Sequence, residues 1–428
     1  MQKALLLRVG IDKGSGGTLG PIFPDASFEY IPIPETQLTS DPRTYGTIVG
    51  RSGMPIAQYV RPQLSKQHPH FDPEFETYTY GDPTPLKRRQ LLELRPGDLL
   101  LFYSGLQPDP LIDRARLYFI GYFEVEHVHD LRDSTAHDME SLRTKIGKNA
   151  HFFRTSPDRG LVVIQGRNTQ SRLLQKAVPV GDGGGNILPD LGRQIGYNGS
   201  LRRAIGHWVT EQDKIAVLHR WLTDGPASLV GPNTTLYTYI VANDCGFAPN
   251  PESGYCSLAC CKPVIRRCAS EGCWIIGFCP SREGPGKVTY VMRVNATMSF
   301  KDYSRNRRFE DRIDNIYRPS SEGRYEFVPN RDLNYHNTPS ENHHDTQTDR
   351  VLIGSIFWYF GEKAVELPND ILDAIGKQGR WTRKITEAKS IRTLVCWLTD
   401  HYRIGVHGKP HDASSETPSK FKTRCRPC

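Results

Sequence analysis

Two stretches of this chain repeat one order of strand-forming elements, and that repetition limits the folds open to it more than any other feature. In the first, GDLLLFYSG (residues 97–105) leads to LYFIGYFEV (117–125); in the second, GCWIIGFCP (272–280) leads to VTYVMRV (288–294). Each begins at a polar or basic turn and enters an apolar strand that contains a glycine. A short loop then feeds a second strand with an aromatic residue and alternating side chains, as in Phe123 and Val125 against Glu124 and Glu126. A period of two marks a half-buried strand, so each half is expected to fold around its own sheet.

The length of 428 residues exceeds what one compact core usually holds. The expected organisation is a first domain over 1–225, a Gly/Pro/Thr-rich linker over 226–235, a second domain over 236–410 and a flexible tail over 411–428. The fold class expected is α+β, each domain a curved, partly closed β-sheet flanked by helices. Residues 131–147 read as helical, as does GSLRRAIGHWVTEQDKIAVLHRWLT, with core spacing at Ile205, Trp208, Ile215, Leu218 and Trp221. The apolar run Ala4–Leu7 stops at Arg8, far short of a signal peptide or a membrane span. A cytoplasmic protein without a membrane partner is expected.

Seven of the ten cysteines lie between 245 and 279. Their spacing matches no zinc ligand frame, and they read better as thiols packed as small hydrophobes. Cys425 and Cys428 form a CRPC in the tail. The loop IDKGSGGTLGP after the first strand lacks both the GxGxxG order and the Lys-Ser/Thr of a P-loop. No cofactor fingerprint and no metal-ligand set is legible, so the cofactor stays unknown.

Three groups of residues carry possible chemistry. In the first half, Asp12, His68, His70, Asp72, Glu74 and Glu76 supply carboxylates and imidazoles. If the loop after the first strand meets the HPHFDPEFE segment, Asp12 and Asp72 could orient a water, a sugar hydroxyl or a metal; the competing reading makes the Asp-Pro pairs turn residues. In the second half, Asp244 and Asn250 flank GFAP, and Cys261 precedes Lys262, where neighbouring cations favour a thiolate nucleophile. Lys262, Arg266 and Arg267 suit phosphate contact. They open a stretch, Lys262 to Arg331, with 14 Lys and Arg against 8 Asp and Glu. Tyr103 and Trp274 are the aromatic candidates for stacking on a base, against the ordinary reading of strand aromatics as core. ENHHDTQTD (341–349) reads as a polar loop whose adjacent histidines point apart.

The paired strand pattern resembles the small β-barrels of the PUA, EVE and YTH superfamily, whose barrel mouth receives a nucleobase. A closer resemblance links residues 1 to about 222 to the third nucleotide-modification-associated domain family, through LLRVGID, GPIFPDASFEYIPIPE, HPHFDPEFETYTYGDP, LRPGDLLLFYSGL, LYFIGYFEV, NAHFFR and SRLLQKAV. Residues 235 to about 410 resemble the second such family, through DCGFAPNP, CSLACCKPVIRR, GCWIIGF, KVTYVMRV, DNIY and VLIGSIFWYFGEKAVELP. One departure is Cys273, where that family's pattern has an acidic residue. The resemblance implies recognition or processing of modified nucleobases in a prokaryotic DNA-modification or defence system. The expected partner is DNA with modified bases or a modified nucleotide, together with partner modification enzymes. A transferase or hydrolase acting on a nucleotide or base, using Asp12, Asp72 and Cys261, is the alternative; an interaction subunit of a modification complex is a third.

Overall fold

Four consecutive apolar residues, Ala4–Leu7, suit a strand covered on both faces, and Ala4–Arg8 is such a strand, with none of the four more than 1% exposed. It runs parallel to Leu99–Gln107 and antiparallel to His207–Val209. In the computed structural model, which describes residues 1–411 apart from 134, 157, 203–204, 281–283, 285, 322, 329–337 and 377–381, the chain divides into two compact units between Gly225 and Pro226, Leu111–Arg114 belonging to the second.

The sheet of the first unit continues antiparallel from Leu99–Gln107 to Arg116–Asp130, then to Val162–Gly166 and Thr79–Asp82. Arg116–Asp130 is 15 residues long and serves two sets of partners, Leu99–Gln107 and Arg172–Pro179 in its first part and Val162–Gly166 in its second. Register shifts at Phe102/Tyr103, Phe119/Gly121 and Val125/His127 bend it between them. At Gly121 an added Cβ would stand 2.5 Å from the Phe75 ring; the missing side chain lets Phe75 lie over the strand and meet Phe102 and Phe123 edge to face. The helix Gln212–Asp224 buries Ile215, Leu218 and Trp221, and the Trp221 indole donates to the Pro179 carbonyl at 2.7 Å. Among the described residues upstream the expected helix is absent. Trp208 sits in the edge strand opposite Leu5, and Ile205 is exposed, because pairing with the first strand outweighs a weak helical pattern.

The second unit repeats this plan. Leu236–Ile240 runs parallel to Trp274–Phe278 and antiparallel to Arg383–Ile385; Trp274–Phe278 continues antiparallel to Lys287–Arg293 and then to Ile356–Tyr359. The helix Ala388–His401 buries Ile391, Leu394, Val395 and Leu398. A separate three-stranded sheet orders Cys256–Leu258, Val351–Gly354 and Ala296–Met298. Among the described residues no pairing joins the two ends of either main sheet, so the expected partly closed barrel gives way to an open sheet. In the first unit the reason is visible: the long strand passes its first partners and recruits new ones at the edge instead of returning to Ala4–Arg8. No helix among the described residues is long and apolar enough to cross a membrane.

Trp221→Ala removes a fully buried indole and should cost the first unit about 3–5 kcal/mol, read as a lower denaturant midpoint of its transition. Leu38→Ala, at an exposed position, should change it by less than about 0.5 kcal/mol.

Candidate functional site

A cavity of about 360 Å³ opens where the parallel strand pair of the first unit ends, lined among others by Arg8, Asp12, His70, Asp72, Tyr80, Asp82, Lys87, His151, Arg154 and Arg202. That volume lies at the lower end of ordinary ligand sites. Asp12 and Asp72, distant in sequence, share its wall. Asp12 is held by the glycine-rich loop: its Oδ1 accepts from the Gly14 and Ser15 amides and from the Ser15 hydroxyl, and Arg8 stands 3.4 Å from Oδ2. Burial works against its charge, but the Ser15 hydrogen bonds and Arg8 outweigh it and lower its pKa. Asp72 accepts from the Gly81 amide and the Asn149 side chain, both at 2.7 Å and both on Oδ1. A second cavity, of about 390 Å³, shares Arg8, Asp12 and Arg202 with the first and adds Lys13, Arg116 and the Gly183–Gly185 turn.

Behind Asp72 lies a buried charged frame. Arg154 bridges Glu35 and Asp158 at 2.9 and 2.7 Å. Glu35 also receives His70 Nδ1 at 2.7 Å, and Asp158 receives His151 Nδ1 at 2.6 Å. The two imidazoles meet edge to face, 4.7 Å between centroids, with His151 Nε2 3.8 Å from Asp72 Oδ2. Burial opposes the charge on Glu35, yet hydrogen bonds from His70 and Arg154 hold its carboxyl far below the usual carboxylate range. Asp158 is drawn down to about 2 in the same way by His151 and Arg154. Burial alone lowers the pKa of His151; the hydrogen bond to Asp158 and the charge of Asp72 overcome that and raise it to about 9. His151 carries its shift on the cavity wall, with Glu35 and Asp158 behind it, an arrangement suited to proton transfer or ion binding.

In the second unit the candidate residues are placed differently. Arg266 is fully buried, and its guanidinium donates to the carbonyls of Cys261, Asp345, Thr348 and Arg350. It is a strut of the 244–267 loop, not a phosphate contact: all three of its nitrogens are committed to backbone. Arg312, also buried, donates to the Asn250 carbonyl, the Ser257 hydroxyl and the Tyr303 hydroxyl. Asn250 is itself interior and exchanges backbone hydrogen bonds with Ser257. Cys261 is buried with a left-handed φ of 57°, its amide donating to Asp345 Oδ1 at 2.6 Å. Asp244 is buried and receives the Tyr359 hydroxyl at 2.6 Å. Trp274 is fully buried and stacks on Trp358, and Tyr103 is fully buried with its hydroxyl on the Leu201 carbonyl; neither ring has a face for a base. The exposed Arg267 and the half-buried Lys262, which stands 5.0 Å over the Tyr239 ring, are the cations this loop presents. Arg266 and Arg312 are thus internal scaffolding and not part of the charge this stretch shows to solvent.

Several residues of this frame escaped sequence reasoning: Glu35, His151, Arg154 and Asp158. For His151 and Arg154 the signal was NAHFFR, whose three polar members Asn149, His151 and Arg154 all turn toward Asp72, Glu35 or Asp158; Glu35 and Asp158 carried none. ENHHDTQTD is no loop. Pro339–Asp345 is a helix with a capping box between Thr338 and Glu341, and it delivers the buried Asp345. The CRPC cysteines lie outside the described residues.

Residues 3–208 match the family model for nucleotide modification associated domain 3, and residues 233–417 match that for nucleotide modification associated domain 2. No curated protein and no solved structure matches the chain.

Two predictions follow from this geometry. The proton on His151 stabilises the folded first unit, since its folded pKa lies above the unfolded value. That contribution is complete below pH ~6.5 and is lost as pH rises through about 9, so chelator-treated protein should lose up to about 3 kcal/mol between pH 6 and 10. His151→Gln should flatten this slope in urea titrations. Arg266→Ala strands buried carbonyls and should cost the second unit about 3 kcal/mol or more, whereas Arg267→Ala should cost less than about 0.5 kcal/mol.

Proposed function

We propose that this protein, which joins a nucleotide modification associated domain 3 to a nucleotide modification associated domain 2, processes modified nucleobases of DNA in a cytoplasmic, prokaryotic modification or defence system. The observation that carries this reading is the convergence of Asp12 and Asp72 on one cavity of the first unit, with His70 and His151 beside Asp72 and Arg8, Lys87, Arg154 and Arg202 around them. Arg8, Lys87 and Arg202 suit a phosphate or the anionic edge of a nucleotide, Asp12 is a carboxylate placed to take a proton, and Asp72 with its imidazoles polarises what enters beside it. A base removed from its stack enters such a pocket while its phosphates stay near the mouth. The adjoining cavity, with Arg8 and Arg202 common to both, gives the sugar-phosphate a place beside the reacting group.

Processing is favoured over pure reading because the groups that a reader in the second unit needs, Arg266, Asn250 and Trp274, are interior. That unit contributes backbone contacts through Lys262 and Arg267. Catalysis by Cys261 gains no support, since its backbone is fixed by Asp345 and its side chain is buried.

The test uses duplexes and single strands carrying hypermodified or plain pyrimidines, at two salt concentrations, with protein purified without chelator. Binding is measured alongside nucleoside masses after digestion. Wild-type protein should change the mass of the modified base. Asp72→Asn should bind within about 3-fold of wild type and lose turnover by about 100-fold or more. Salt-resistant preference for modified DNA with no turnover by wild type, and no loss in Asp72→Asn, would overturn processing in favour of reading.

A further inference from the structure

His70, Asp72 and His151 present ligand atoms that all lie within 4.8 Å of one another, and they are the one such group of His, Cys, Asp or Glu among the described residues. Their side chains are 8%, 6% and 3% exposed, and all three border the cavity. We infer that they form a binding site for a borderline first-row divalent cation of the zinc, iron, cobalt or nickel class, held by two imidazoles and one carboxylate, with its remaining positions open to the cavity.

Orientation is the first support. Ionised carboxylates only accept hydrogen bonds, so Glu35 and Asp158 fix a hydrogen on Nδ1 of His70 and His151 respectively. Arg154 Nη1 lies 3.2 Å from the same His151 nitrogen, but its hydrogens are taken by Asp158. Nε2 is left as the ligand atom of each ring. A carboxylate behind each imidazole is the usual support of a metal-bound histidine. Asp72 follows the same logic: Gly81 and Asn149 occupy Oδ1, and Oδ2 faces His151.

Charge is the second. Glu35, Asp72 and Asp158 are three carboxylates whose side chains are at most 7% exposed, and Arg154 is the guanidinium that bridges two of them. Two imidazoles that present Nε2 to an ion are neutral, so in its ligating state the cluster holds two negative charges that the ion must offset, because buried charge without compensation is strongly unfavourable. One divalent cation balances it.

Distance is the third. Atoms sharing an ion at about 2.1 Å stand roughly 3–3.5 Å apart; His151 Nε2 and Asp72 Oδ2 stand 3.8 Å apart, and a ring nitrogen of each histidine lies within 4.8 Å of the other ligand atoms, so side-chain rotation of about an ångström brings them to bonding separation. Gly81 makes room for this: an added Cβ would stand 2.9 Å from His151 Cδ2. Two nitrogens and one oxygen select against magnesium and calcium, which take oxygen ligands. Three protein ligands leave open positions, as sites that bind a water or substrate do. The ion bears on the proposed processing only by polarising what enters the cavity; its binding is measured with no nucleotide present, so the two ideas fail separately.

The full chain, stripped with chelator and dialysed, is titrated with Co²⁺, Zn²⁺ and Mg²⁺, following heat and the visible cobalt spectrum. The expected result is one tight equivalent of Co²⁺ or Zn²⁺, a raised Tm, no Mg²⁺ binding and no thiolate charge-transfer band. His70→Gln and Asp72→Asn should weaken binding by about 100-fold or more, and Glu35→Gln, which leaves every ligand in place, by about 10- to 100-fold. His343→Gln/His344→Gln should bind as wild type. Folded wild-type protein that binds no Co²⁺ overturns the inference, as does a thiolate band or a tight equivalent that survives in His70→Gln and Glu35→Gln.

Discussion

The first unit is organised around one guanidinium. Arg154 ties Glu35, which follows the IPIP segment, to Asp158, which lies beyond the NAHFFR turn. Each carboxylate in turn holds an imidazole from a different segment. Remove Arg154 and two buried carboxylates face each other with only the imidazoles between them; His70 and His151 then have no reason to keep their edge-to-face arrangement beside Asp72. The sheet beneath supplies the platform, and the end of its parallel strand pair supplies the opening, but the polar geometry of the cavity depends on this bridge. Fixed groups in a partly desolvated cavity act more strongly on a bound ligand than the same groups in water.

The second unit uses the same device for another purpose. Arg266 and Arg312 lie inside the protein and donate to carbonyls of the 244–267 loop and of the segments beside it. Asp314 and Tyr317, from the DNIY run, complete this interior: Asp314 accepts from the Tyr303 and Ser257 hydroxyls, and the Tyr317 hydroxyl donates to Asp345. The stretch also packs Phe247, Tyr255, Leu258 and Ile265 into the core, and the arginines supply the donors that its buried carbonyls need. Both units also end their first strand alike. Asp12 follows Arg8, and Asp244 follows Ile240, at the same interval of four residues. In the first unit that aspartate lines a cavity; in the second it is closed over by the Tyr359 hydroxyl and the His411 amide.

What the sequence disclosed follows from what is local. The paired strand runs were legible because a period of two survives in the text, and the helix around Trp221 because its apolar spacing does. Asp12 and Asp72 were legible as turn aspartates in a glycine-rich loop and an Asp-Pro step. Glu35 was not, since an ion pair between distant segments leaves no mark on either one; His151, Arg154 and Asp158 stood in or just after NAHFFR, whose polar positions do not say what they meet. Burial of charge was equally hidden. Lys262, Arg266 and Arg267 look alike in sequence, yet Arg266 alone finds carbonyls at 345, 348 and 350 and goes inside. The helix Pro339–Asp345 does have a local signal, since Thr338 and Glu341 spell a capping box ahead of the two histidines.

The most direct test of the central claim is an anomalous diffraction map at the cobalt edge, from crystals of the full chain grown with Co²⁺. The account predicts one strong peak between the His70 and His151 rings and Asp72, facing the cavity that Asp12 also lines. A well-ordered cavity with no peak there, or a peak at the cysteines of the 245–279 stretch or at His343 and His344, contradicts it.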